Sequence, residues 1–177
     1  GCSALTRLTI PSGVITIKNS AFSSCAALTN VTFPSSVTTI ESDAFSNCKA
    51  LNDFVVDPAN TSFVTLDGVL FNKQLTDLIK YPAGKAGTYT VPSSVTTIRS
   101  GAFRNSSGLS NVTIPSSVTT IENTAFWNCS GLTAFLVDAA NPNFHSSDGV
   151  LFNKLQTVLI QYPASKPGSY AVPSSVT

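Results

Sequence analysis

Cys2, Cys25, Cys48 and Cys129 are the residues best equipped for chemistry, and all four fall at one position of a repeated pattern. A thiolate there could attack an electrophile, ligate a metal or close a disulfide. No C-x-x-C pair is present, so the spacing of a zinc site is missing. Ser106 fills the slot in the remaining copy. A small side chain facing the interior explains the slot more simply, because free Cys is among the most buried residue types. Adjacent strands lie roughly 4.8 Å apart, so distance alone permits bridges among Cys2, Cys25 and Cys48. Parallel stacked side chains and Ser106 argue against a bridged ladder.

His145 is the single histidine, and the matching segment has Val64 in its place. Nucleophilic catalysis would need it beside an activated Ser or Cys with a third orienting group. Nothing marks such a group, and a histidine on a surface loop is the plainer reading. Asp67 and Asp148 recur, but each precedes a Gly, which gives them a turn role. No glycine-rich phosphate cradle occurs. The sequence therefore assigns no catalytic residue, no metal ligand and no cofactor, and it reads as that of a non-enzyme.

The composition narrows the partners. Of 177 residues, 42% are hydrophobic, which is too many for disorder. Only 11% are charged, less than half the usual share of about 25%. Ten basic and nine acidic residues leave a net charge of +1, which offers nothing to the phosphates of nucleic acid. No apolar run reaches the roughly 18 residues of a membrane span. The chain has no Met and opens with Gly1-Cys2, so its natural start and any secretion signal are expected upstream.

Chemistry-bearing residues have to be positioned by larger elements, and here those elements repeat. Pro11, Pro34, Pro92, Pro115 and Pro173 are spaced by 23, 58, 23 and 58 residues, a superunit of 81. Residues 29–96 match residues 110–177 at 44 of 68 positions without a gap. The short unit reads L-x-x-V-x-I-P-S-S-V-T-T-I-x-x-x-A-F-x-x-C-x-x-L. Val31 and Phe33 share one face of an extended strand, and Pro34 ends it. Val37, Ile40, Ala44, Phe45 and Cys48 supply a second inward set on a return segment. A unit this short cannot bury such a stripe alone, whereas stacked coils can. Each long unit adds D-G-V-L-F-N-K and then L-I-x-Y-P (Asp67 to Pro82; Asp148 to Pro163). Asp-Gly between apolar runs predicts a β-hairpin packed on or extending one coil, with insertions at about 57–91 and 138–172.

The I-P-S-S-V-T-T-I-x-x-x-A-F-x-x-C-x-x-L pattern resembles the leucine-rich repeats of BspA-like, Treponema pallidum-type surface proteins, and the hairpin segment resembles their longer units. The likeness covers essentially the whole chain. It implies a right-handed, mostly β repeat solenoid with a parallel sheet on one face and irregular or short helical turns opposite. It also implies a secreted or surface-attached protein that binds extracellular proteins or other cells. One departure is the variable residue before Ala-Phe: Ser20, Asp43, Gly101 and Thr124.

An extracellular module binding a protein or glycan ligand is the function expected, through Trp127, Arg7, Thr9, Asn30, Thr32, Asn111 and Thr113. Trp127 replaces Ser23, Ser46 and Arg104 in a polar slot expected to point outward, and exposed aromatics make good interface anchors. The other six form the outward face of the parallel strands, joined by Asn52, Asp53, Val55, Thr133 and Leu136 from the long units. Regular Thr ranks also suit a crystal surface, but the insertions interrupt any flat lattice. The alternative is a structural segment of a surface fibre that associates end to end, because the chain begins and stops inside repeat units. Asn30, Asn60, Asn105, Asn111 and Asn128 head N-x-S/T sequons, about as many as this composition produces by chance.

Overall fold

Alternating apolar residues ahead of a proline or an aspartate make a short strand, and every coil uses one to cover the next. The computed structural model describes residues 1–177. The first three coils contain β1 (Arg7–Thr9), β2 (Thr16–Ile17), β3 (Asn30–Phe33), β4 (Thr39–Ile40) and β5 (Asp53–Val56). The first long unit continues with β6 (Phe63–Leu66), β7 (Val69–Asn72), β8 (Asp77–Lys80) and β9 (Gly87–Thr90). The next coils hold β10 (Thr97–Ile98), β11 (Leu109–Ile114), β12 (Thr120–Ile121) and β13 (Ala134–Val137). The second long unit adds β14 (Phe144–Ser147), β15 (Val150–Asn153) and β16 (Leu159–Gln161). The result is a mostly β solenoid.

Two parallel sheets, β1-β3-β5 and β9-β11-β13, carry the main face. Their register pairs Arg7 with Asn30 and Asn30 with Asp53, then Thr88 with Asn111 and Asn111 with Ala134. Successive coils in each sheet are thus offset by 23 residues, while Asp53 to Thr88 spans 35. The 58-residue proline spacing therefore contains one coil of ordinary length, ending at Asp57 rather than at a proline, and one long coil.

The extra length is a hairpin that runs into the interior. β6 and β7 pair antiparallel about Asp67 and Gly68, whose φ values of +50° and +75° are those of a hairpin turn needing both central residues left-handed. Asp148 and Gly149 repeat it at +48° and +74°. Val69, Leu70 and Phe71 of β7 are all fully buried, so both faces of this strand are covered. Leu70 packs in a core with Phe33, Phe54 and Phe63, while Val69 and Phe71 pack in a second core with Leu78, Tyr81 and Phe103. β7 is a partition between two cores. β8 pairs antiparallel with β7 on one edge and in parallel with β10 on the other, and β10 pairs with β12, which makes one five-stranded sheet.

On the return side the phenylalanines of the Ala-Phe turns stack, Phe22 on Phe45 at 5.5 Å and Phe103 on Phe126 at 5.0 Å. No helix forms there. Turns such as Ala44 N–H to Glu41 O (3.1 Å) and Ser46 N–H to Asp43 O (3.1 Å) stay single. Asn47 at φ +61°, and Asn105 and Asn128 at +65° and +57°, break the right-handed path before a second turn can close. No helix is long and apolar enough to cross a membrane.

Two polar residues tie the long units into the stack. Asn60, 1% exposed, donates its amide to Pro34 O and Val37 O (2.9 Å each) and accepts from the N–H groups of Ser62 and Phe63 (2.8 Å each). Asn141 repeats this with Pro115 O, Val118 O, Asn143 N–H and Phe144 N–H. Each amide has its full set of partners.

Because the long unit lacks an Ala-Phe turn, the turns before and after it meet directly. Arg104 Nη1 bridges Asp43 Oδ1 at 2.8 Å, and Asn105 donates to Ser46 Oγ at 3.2 Å. Lys80, 4% exposed, donates to Gly101 O at 2.7 Å. Burial pushes the Lys80 amine down from 10.5 to about 8, with Arg104 adding to the shift and Asp43 opposing it.

Both features yield measurable consequences. Asn60→Ala leaves Val37 O and the N–H groups of Ser62 and Phe63 without partners, so urea denaturation should show a loss of about 2–4 kcal/mol. Asn141→Ala should lose stability likewise, and a change under about 0.5 kcal/mol in both would remove the role assigned to these amides. The unfolded Lys80 amine holds its proton to 10.5 and the folded one only to about 8, so stability from this group rises with pH between those values. Burial pushes the Cys48 and Cys129 thiols up from 9.0 to about 11, which opposes the rise only above pH 9. Thermal melts should therefore show Tm rising from about pH 7.5 to 9, and Lys80→Gln should raise Tm at pH 7 and flatten that slope.

Candidate binding surface

The main-face register turns the outward side chains into two ranks. Arg7, Asn30 and Asp53 form one on the first sheet, beside Thr9, Thr32 and Val55. On the second sheet the ranks continue as Thr88, Asn111 and Ala134, and as Thr90, Thr113 and Leu136. All of them are exposed or half-buried, because their neighbours in each strand take the inward positions. Hydrogen bonds fix several: Asn30 Nδ2 donates to Asp53 Oδ2 at 3.2 Å, and Thr133 Oγ1 to Asn111 Oδ1 at 3.0 Å. Sequence reasoning missed Thr88 and Thr90, since it placed β9 inside an insertion. Tyr89 and Val91 ahead of Pro92 were the available signal. Val55 and Leu136 break the Thr rank, so no flat Thr lattice forms.

Between the two sheets the face opens. The Asp67-Gly68 tip takes the place of a strand beside β5, with Phe54 N–H bonded to Gly68 O at 3.1 Å. A cleft of about 450 Å³ separates this tip from β9, lined by Asn52, Asp67, Tyr81, Lys85, Thr88 and Tyr89 among others. The Tyr81 and Tyr89 rings lie 4.9 Å apart at 60°, backed by Phe103. Burial, reinforced by Tyr81 and then by Asp67, holds the Tyr89 phenol well above its ordinary pKa. The cleft thus combines an aromatic wall with one carboxylate and one ammonium, and no nucleophile and base are in contact in it.

Trp127 lies on the return side, away from the ranks, with Asn128 and Gln161 around it. It is 60% exposed. The slot itself is not uniformly outward as expected: Ser46 is only 7% exposed, because Asn105 of the coil beyond the long unit covers it. No residue within the chain covers Trp127 in that way.

The remaining candidates are structural. Cys25, Cys48 and Cys129 are buried and Cys2 exposed, and all four are free. Cys48 and Cys129 donate their S–H to Phe22 O (3.1 Å) and Phe103 O (3.0 Å), which ties each coil to the turn before it. Thiols raised to about 11 are poor nucleophiles. Ser106 fills the same slot, with its hydroxyl buried and without a partner. His145 is not on a loop: it sits half-buried in β14 opposite Phe152, as Val64 sits opposite Phe71. Asp67 and Asp148 hold turns. No three His, Cys, Asp or Glu side chains converge as metal ligands would. Among the sequons, burial of Asn60 and Asn105 leaves no room for a glycan on the folded chain.

The geometry agrees with known proteins. A family model described as the BspA type leucine rich repeat region matches in six copies over residues 1–133 and 81–172. No curated protein matches the sequence. A leucine-rich repeat protein from Eubacterium ventriosum is similar in structure over 97% of this chain and 42% of its own, with 28% identity and a TM-score of 0.61. The pneumococcal vaccine antigen PcpA aligns over 77% of this chain and 40% of its own, at 26% identity and a TM-score of 0.65. A leucine rich cell surface protein from Faecalibacterium prausnitzii aligns over 76% of this chain and 42% of its own, at 28% identity and a TM-score of 0.59. The chain thus spans about two fifths of the length of each. Coil length, the Ala-Phe-x-x-Cys turns and the family match lead to one assignment: this chain belongs to the BspA-type leucine-rich-repeat family.

Proposed function

We propose that the chain is a ligand-binding stretch of a bacterial cell-surface protein, recognising an extracellular protein or glycan through its main-sheet face. The observation that carries this reading is the pair of mostly polar ranks held in register within each sheet, with a cleft between the two sheets. The names of two structural neighbours, a cell surface protein and a vaccine antigen, support the location. Repeat proteins bind by such extended faces without chemistry, which supports a non-enzymatic role. Trp127 is assigned a second contact on the return side, since an exposed indole is a preferred anchor.

The match of the superunits at 44 of 68 positions without a gap favours a second reading, a segment of a surface fibre. Differences at exposed positions, Thr133 for Asn52 and Leu136 for Val55, support a dedicated ligand instead.

Screening the purified chain against immobilised extracellular-matrix proteins and glycans should give saturable binding to at least one. Thr32→Lys and Thr113→Lys place unpaired charge on the ranks and should each weaken that binding about fivefold or more, with Tm unchanged. Trp127→Ala should weaken it further and additively. Binding that survives both lysine substitutions would move the site off this face. Absence of binding together with concentration-dependent end-to-end association by ultracentrifugation would establish the fibre reading.

A further inference from the structure

We propose that the cleft between β5 and β9 is a binding site for a neutral pyranose unit of a glycan. This rests on the binding role of the main face and names the ligand class for its centre. The rim carries one carboxylate, Asp67, and one ammonium, Lys85, so their charges balance and favour neither an anion nor a cation. Sugar hydroxyls serve such a rim well, since each donates to a carboxylate and accepts from an ammonium. The amide of Asn52 and the hydroxyl of Thr88 add further partners on the same rim.

The wall supplies the other half of pyranose recognition, an apolar flank for the C–H face of the ring. Tyr89 is half-buried against Tyr81 and Phe103, which fixes its ring before any ligand arrives. Neither tyrosine hydroxyl has a hydrogen-bond partner within the chain, and the Tyr81 ring is held with its body in the core. A volume of about 450 Å³ lies within the range of small-ligand sites. An extended peptide fits less well. Gly68 O already occupies Phe54 N–H, so an incoming strand finds no continuous ladder on β5.

The second superunit repeats the tyrosine pair and the two charged rim residues, without a strand equivalent to β9. Tyr162 and Tyr170 stand 5.3 Å apart at 58°, close to the 4.9 Å and 60° of the first pair. Asp148 and Lys166 occupy the rim positions and bridge at 2.9 Å, whereas Asp67 and Lys85 form no ion pair. The rim is thus free in the first unit and self-paired in the second. Asn52 and Thr88 become Thr133 and Ser169, so the aromatic wall is constant while the hydrogen-bonding rim varies.

Saturation-transfer NMR with cellobiose, lactose, mannobiose and diacetylchitobiose tests the site directly. At least one should bind saturably at millimolar concentration. Lys85→Ala should weaken that binding about tenfold with Tm unchanged, and Tyr89→Ala should abolish it. Lys18→Ala, an exposed change outside both the cleft and the ranks, should leave disaccharide affinity unaltered. No binding by any of the four, or binding indifferent to Lys85→Ala, would overturn the proposal. An extended peptide held in a Tyr89-dependent way would overturn the sugar assignment. A ligand lost on Thr32→Lys but not on Lys85→Ala would leave the binding face standing and remove only the cleft.

Discussion

Everything in this molecule depends on coils covering one another in register. A coil of 23 residues brings inward side chains such as Val31, Phe33, Val37 and Phe45 to an axis it cannot close by itself. Burying a side chain of this size is worth on the order of 2 kcal/mol, and that gain is made only when a neighbouring coil covers it. The constraint fixes the outer surface as well. Once Val31 must sit between Leu8 and Phe54, Thr32 must sit between Thr9 and Val55, and the outward ranks follow from the core. The polar face is therefore a consequence of stacking, and its spacing is as regular as the core beneath it.

The long unit is where the constraint is hardest to meet. It lacks the Ala-Phe turn, so it must cover two neighbours by other means. β7 does this with an uninterrupted apolar run, Val69-Leu70-Phe71, which serves one core on each side. Two consequences follow at opposite sides of the coil. On the return side, neighbouring turns meet through Asp43–Arg104 and Ser46–Asn105, with Lys80 confined beneath them. On the main face, the hairpin tip replaces part of a strand and leaves the cleft walled by Tyr81 and Tyr89. Both arise from one insertion. The second superunit places Gln161 where the first has Lys80, so the buried charge is not required by the backbone.

Much of this was legible in the sequence, and the limits are physical. The 81-residue superunit, the inward face of each strand and the Asp-Gly hairpin follow from periodicity and turn chemistry, because both act within a few residues. The outward residues of β1, β3, β5 and β11 followed from alternation alone, whereas those of β9 did not. What escaped was set by contacts between distant residues. A continuous apolar run reads equally well as an external hairpin or an internal partition, and only the two separate cores decide for β7. Ser46 looked outward because its own coil says nothing of Asn105, which lies 59 positions later. Short helical turns were expected where single turns form, since the left-handed Asn47 and its equivalents carry no unambiguous local signal. The cleft was invisible for the same reason: Asn52, Asp67, Tyr81, Lys85 and Tyr89 come together only when β9 is recognised as a strand of the main face.

Amide hydrogen exchange at Val69, Leu70 and Phe71 tests the partition most directly. If β7 divides two cores, these amides exchange only when the whole stack unfolds, and their opening free energy equals the global value from denaturation. Exchange through a cheaper local opening, at the level of the exposed Lys73-Gln74 link, would mean that the hairpin lies on the solenoid rather than within it. The cleft and the two-core architecture would then lose their basis.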